Sequence, residues 1–124
     1  MQRLWWLRST LLILLLMVPI TSWGHAYLVK SSPARRAVLS NSPTHVVLWF
    51  NERLEAQFSQ LSVWNAEGQQ VDGSDVQVGP EDSKRLSVRI PTLPAGRYTV
   101  KYRVLSVDGH IVEAEFPFTI RSRQ

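Results

Sequence analysis

The sequence predicts an all-β domain, an antiparallel β-sandwich, and three observations carry that expectation. Apolar residues alternate with polar ones in short runs, as half-buried strands require. Gly, Pro, Asn and Asp break the chain between those runs at short intervals. Outside an apolar run near the N-terminus, no segment has a convincing 3.6-residue period.

The first element is that apolar run. Arg3 and Arg8 precede it, Leu11 to Val18 is unbroken, and Ser22-Trp23-Gly24 follows with small residues at the two positions a signal peptidase reads. A spanning helix needs roughly 20 apolar residues. Met1 to Gly24 is therefore expected to be a removed secretory signal, with an uncleaved anchor as the alternative. Residues 25–124 form the expected domain, 100 residues long and sufficient for one core.

The strands follow in order. Ala26-Tyr27-Leu28-Val29 opens the domain and Ser31-Ser32-Pro33 closes that strand. Val46, Leu48 and Phe50 alternate with Val47 and Trp49, which predicts a strand buried on both faces. Ser59 to Trp64 is a third strand, ended by Asn65-Ala66-Glu67-Gly68. Val71 to Val78 is interrupted by Asp72-Gly73 and reads as loop with a poor edge strand. Leu86, Val88 and Ile90 mark another strand; Tyr98, Val100, Tyr102 and Val104 mark a long one; Phe116, Phe118 and Ile120 mark the last. Core packing is the expectation for Trp49, Trp64, Tyr98, Tyr102, Phe116 and Phe118.

Composition narrows the function. Without Arg3 and Arg8 the domain holds 12 Lys+Arg against 10 Asp+Glu, a net of +2, and the basic residues are scattered. That argues against a nucleic-acid partner. The chain has no cysteine, so disulfides, thiolate metal sites and thiol redox chemistry are excluded. Both methionines, Met1 and Met17, fall in the expected signal, which leaves the processed domain without sulfur.

Two clusters carry chemistry. Cleavage after Gly24 would make His25 the first residue, with a free α-amine and an imidazole on one residue able to chelate one metal ion. Ser106-Val107-Asp108-Gly109-His110 follows the long strand, and its Asp-Gly turns the chain into the final strand. Asp108 and His110, two residues apart, can point the same way. Alone, Asp-x-His is an ordinary turn with a surface histidine. Combined with His25, it completes three nitrogens and one oxygen, a set that suits the tetragonal preference of Cu(II). Zinc prefers a tetrahedron, and Cu(I) prefers the soft sulfur that the domain lacks. His45, near the Ser42-Pro43 turn, has no such companion and reads as a surface residue.

At this point the chain resembles the CopC-type periplasmic copper-binding proteins, including their small YobA-like branch. The residues that carry the resemblance are His25-Ala26-Tyr27-Leu28-Val29-Lys30-Ser31-Ser32-Pro33, Pro43-Thr44-His45-Val46-Val47-Leu48-Trp49-Phe50-Asn51-Glu52, Leu93-Pro94-Ala95-Gly96-Arg97-Tyr98-Thr99-Val100 and Val104-Leu105-Ser106-Val107-Asp108-Gly109-His110. The resemblance implies a Greek-key β-sandwich of immunoglobulin or cupredoxin type. It implies Cu(II) ligation by His25, Asp108 and His110, and support of the N-terminal amine by the acidic residue at Glu52. It also implies an inner-membrane importer of the CopD type as recipient of the copper. One departure matters: some members carry a Met-rich loop for Cu(I), and the corresponding stretch here, Asn65 to Arg85, contains neither Met nor His. The chain therefore looks like the Cu(II)-only type.

The leading expectation is a monomeric periplasmic Cu(II) carrier or buffer in copper homeostasis or resistance. An alternative is a copper-dependent oxidative enzyme with an N-terminal histidine brace, although Asp108 would fill a position that such an enzyme keeps open for oxygen. A third is a plain immunoglobulin-like interaction module in which both clusters are accidental.

Overall fold

The protein was analysed as a computed structural model that describes residues 26–123. The expected signal Met1–Gly24 and the expected ligand His25 lie outside the described residues. Eight strands form two sheets: β1 (Leu28–Ser32), β2 (Val38–Leu39), β3 (His45–Phe50), β4 (Gln60–Trp64), β5 (Gln77–Val78), β6 (Arg85–Arg89), β7 (Gly96–Leu105) and β8 (Ile111–Ile120). The first sheet has the order β1-β3-β6-β5 and the second β2-β8-β7-β4. The two sheets pack face to face as a Greek-key β-sandwich, the expected class.

Alternation determines what each sheet buries. The first contributes Val46, Leu48 and Phe50 from β3 and Leu86 and Val88 from β6, with Ile90 just beyond. The second contributes Leu61 and Val63, then Tyr98, Val100, Tyr102 and Val104, then Phe116, Phe118 and Ile120. Tyr98 stacks on Phe118 with centroids 5.4 Å apart and donates its hydroxyl to Pro94 O at 2.6 Å. The buried phenol therefore has its polar end satisfied. Full burial of a side chain such as Phe118 stabilises by roughly 1.5–3 kcal/mol.

Four expectations are corrected. Val38–Leu39 is a strand that the sequence reading missed, and it runs parallel to β8 against Thr119 and Ile120. Two residues cannot display an alternation. The first strand begins at Leu28 rather than Ala26, because Tyr27 enters through bonds to Asn51, just past β3, and not through a ladder. The last strand begins five residues earlier than its aromatic markers, at Ile111; its first half buries little, with Glu113, Ala114 and Glu115 exposed and Val112 packed partly against the core. Trp49 and Trp64 do not pack in the core. They are half-buried on the outer faces of the two sheets, Trp49 with Lys30 4.9 Å above its ring and Trp64 with Lys101 at 5.1 Å. An indole on an outer face packs against the stems of long cations while its edge stays wet. The expected double-sided burial of β3 does hold for Val47, which is 8% exposed.

Candidate metal centre

The residues after β3 tie one pole of the sandwich together. Asn51 accepts from the Tyr27 N–H through its Oδ1 at 2.6 Å and returns its own N–H to Tyr27 O at 3.2 Å. Two residues on, Arg53 O accepts from Val107 N–H at 2.9 Å. Leu54 bridges to Ser106, and Glu55 N–H donates to Leu105 O at 2.8 Å. A strip five residues long thus holds both the entry to β1 and the loop between β7 and β8. Half-buried Glu52 is its second residue, between the residue bonded to Tyr27 and the residue bonded to Val107.

The loop Ser106–His110 is closed by its own chemistry. Ser106 N–H donates to His110 O and Gly109 N–H to Ser106 O, both at 2.9 Å. Gly109 has φ +91°, a left-handed conformation that glycine adopts without a Cβ penalty. Ser106 is 1% exposed and its hydroxyl donates to Asp108 Oδ1. The same oxygen accepts from the His110 N–H at 3.2 Å and lies 3.1 Å from His110 Nδ1. The Ser106 hydroxyl, more than the His110 amide and ring, holds the Asp108 carboxyl below the usual carboxylate range, against partial desolvation that acts the other way.

This arrangement brings together two of the expected site residues, Asp108 and His110. A carboxylate on Nδ1 orients an imidazole and fixes the tautomer whose Nε2 lone pair can take a metal. Glu52 stands on the strip that holds their loop. Among the described residues no group of three or more His, Cys, Asp or Glu side chains gathers; the third expected ligand, His25, lies outside them. His45 is exposed at the opposite end of β3, with Thr44 Oγ1 3.0 Å from its Nδ1, as expected of a surface histidine. Sequence reasoning missed the roles of Asn51, Arg53 and Ser106. Only Ser106 left a signal, since a serine two residues before an aspartate readily bonds locally.

A family model described as the CopC domain matches residues 28–121. The copper transport protein CutJ of Bacillus subtilis (strain 168) is 35% identical over 117 residues, which is 94% of this chain and 21% of that protein. The chain thus spans about a fifth of the length of that relative. Protein YobA of Escherichia coli (strain K12) is 31% identical over 100 residues, 80% of this chain and 81% of YobA. Among solved structures, CopC from Methylosinus trichosporium OB3b aligns with TM-score 0.74 at 35% identity, covering 81% of this chain and 97% of that one. PcoC, a methionine rich copper resistance protein from Escherichia coli, aligns with TM-score 0.69 at 27% identity, covering 79% and 100%.

Proposed function

This chain belongs to the CopC family, and on that premise we propose that it is a Cu(II)-binding protein of the bacterial periplasm, a monomeric carrier or buffer in copper homeostasis or resistance, with His25, Asp108 and His110 as ligands. The observation that carries this reading is the Asn51–Glu55 strip. It fixes Tyr27 on one side and the Asp108/His110 loop on the other. His25 precedes Tyr27 by two residues, at most about 7 Å of extended chain. This short reach supports a site that the α-amine and imidazole of a processed terminus would share with the loop. Glu52 is the half-buried carboxylate next to Asn51 on that strip, and its proposed task is to hold the amine.

The donor set favours Cu(II). Residues 26–123 contain neither methionine nor cysteine, so Cu(I) finds no soft ligand. PcoC, by contrast, is described as methionine rich. As a ligand, Asp108 would fill a position that an oxygen-activating brace leaves open, which supports a binding protein over an enzyme. The copper transport named for the Bacillus relative belongs to a protein about five times longer than the matched part; delivery to an inner-membrane importer of the CopD type is the role proposed here by extension.

Cu(II) titration of protein beginning at His25, and of protein with one extra residue before it, tests the reading. The extra residue turns the amine into an amide and destroys the chelate, so affinity should fall by orders of magnitude. Equal affinity would overturn the ligand assignment. Reduction of the loaded protein beside a Cu(I) chelator should release the metal, and retained Cu(I) would reveal a soft site elsewhere.

A further inference from the structure

The outer face of the second sheet divides in two along the β7–β8 ladder. In the half toward the Ser106–His110 loop, charges are matched: Lys101 Nζ lies 4.0 Å from Glu115 and Arg103 Nε 3.9 Å from Glu113. In the other half they are not. Arg97 points outward, beside inward Tyr98, and stands in register with Thr119. Arg121 and Arg123 are exposed just past inward Ile120, Arg123 resting on Asn41 Oδ1. The Arg36 N–H donates to Pro117 O at 2.7 Å and adds a fourth arginine at the edge. Among the described residues, none of these four arginines has a carboxylate within 4.0 Å.

Two apolar side chains stand among them. Val38 pairs with Thr119 and is 55% exposed. Half-buried Trp64 faces outward from β4 opposite Thr99, between Lys101, which lies 5.1 Å over its ring, and Arg97, next but one to Thr99. The carboxylates toward that end are Asp75, held by Arg89, Asp72, which accepts the Val63 N–H, and Glu67 on the turn after Trp64. On the outer face of the first sheet the cations are already engaged: Lys30 and Arg85 lie over Trp49, and Arg89 holds Asp75.

We propose that the Trp64/Arg97/Arg121 face docks on an anionic phospholipid surface. Guanidinium groups pair with phosphate by charge-assisted hydrogen bonds, and a tryptophan with an exposed valine suits the headgroup boundary, where one side is apolar and the other wet. The face lies on the side of the sandwich away from the Ser106–His110 loop. Docking there keeps the loop free at the rim, facing along the membrane. The choice of phospholipid over other polyanions rests on the periplasmic reading above. The docking itself involves no copper and stands or falls apart from the ligand assignment.

The test uses apo protein isolated from the periplasm, with vesicles of phosphatidylglycerol and phosphatidylethanolamine set against pure phosphatidylcholine. Binding should require phosphatidylglycerol and weaken with salt. Each arginine near an anionic surface contributes about fivefold in partition. The double variant Arg97→Gln/Arg121→Gln should therefore bind roughly 25-fold less, with unchanged Cu(II) affinity. Residues 25–124 contain two tryptophans, one on each outer face. Brominated phosphatidylglycerol should quench Trp64 in a Trp49→Phe variant and spare Trp49 in a Trp64→Phe variant. Equal binding to phosphatidylcholine, parental binding by the double variant, stronger quenching of Trp49, or binding to heparin without binding to vesicles would each overturn the proposal.

Discussion

The two ends of the β7–β8 hairpin differ in how they use polar groups. The ladder runs in unbroken register from Gly96↔Ile120 to Leu105↔Ile111, a span of about 30 Å at ordinary strand rise. At one end, Ser106, Asp108 and His110 turn on each other, and their carboxylate, hydroxyl, ring and amides form a closed set. At the other, Arg97, Arg121 and Arg123 turn outward. A small ion needs donors whose positions are set before it arrives. An extended charged surface needs reach and adaptability. One rigid ladder supplies both by keeping them at opposite ends, so a substitution at one end should be silent at the other.

The largest test of that independence is His110→Ala. Loss of an outer partner of a metal ligand typically costs 10–100-fold in affinity, and loss of a ligand should exceed about 100-fold. The thermal midpoint should hold, because His110 lies on a loop outside the core. Arg121→Gln should leave Cu(II) affinity unchanged in the same titration. If both variants weaken copper equally, the ends are coupled and the comparison fails.

Ser106→Ala is the sharper probe. It removes the donor that most favours ionised Asp108, and the expected loss of Cu(II) affinity is about tenfold, the lower end of an outer partner's effect. The sign of the pH effect follows from the lowered carboxyl. A depressed carboxylate contributes its loop-holding stability above its unfolded value, about 3.9, and loses it only as the pH falls through the lower folded value. In Ser106→Ala the loop should therefore release at higher pH than in the parent, as followed by NMR of the loop amides.

Between pH 8 and 5, Asp108 stays ionised, so the decline of Cu(II) affinity there belongs to the nitrogen donors. An α-amine, with an ordinary value of about 7.7–8.0, and two imidazoles must shed protons to bind. Affinity should fall steadily across that range while circular dichroism stays constant. A flat profile would remove the nitrogen donors from the site.

The smallest effect is expected at Gly109→Ala. A Cβ there meets no atom within 4 Å, but φ is +91°. The cost is conformational, about 1 kcal/mol, and should appear in chemical denaturation with little change in copper binding. His45→Ala, at the far end of β3, should change neither.

What the sequence made legible follows from what leaves a pattern. β3, β4, β6 and β7 each alternate over enough residues for one face to declare itself, and their inward residues are the core. β2 is two residues long and the first half of β8 buries little, so neither announces a face. The outward position of Trp49 and Trp64 was hidden because an indole satisfies a core and a cation-covered surface equally well in composition. At the site, Asp108 and His110 were legible because a turn dipeptide fixes their spacing. Asn51 and Arg53 were not: Arg53 acts through its main-chain carbonyl, and Asn51's side chain binds a residue 24 positions away in sequence. The proposed ligand roles of His25, Asp108 and His110 are tested together by the titrations above.

The chain enters and leaves the domain at opposite poles. Tyr27 is fastened beside the loop pole through Asn51, whereas Arg123 reaches Asn41 at the far one. Polypeptide joined after residue 123 would depart from the pole farthest from Asp108 and His110. The domain can thus be hung on a tether after residue 123 as a pendant head without shading its own business end. A reporter or an affinity handle belongs at the back.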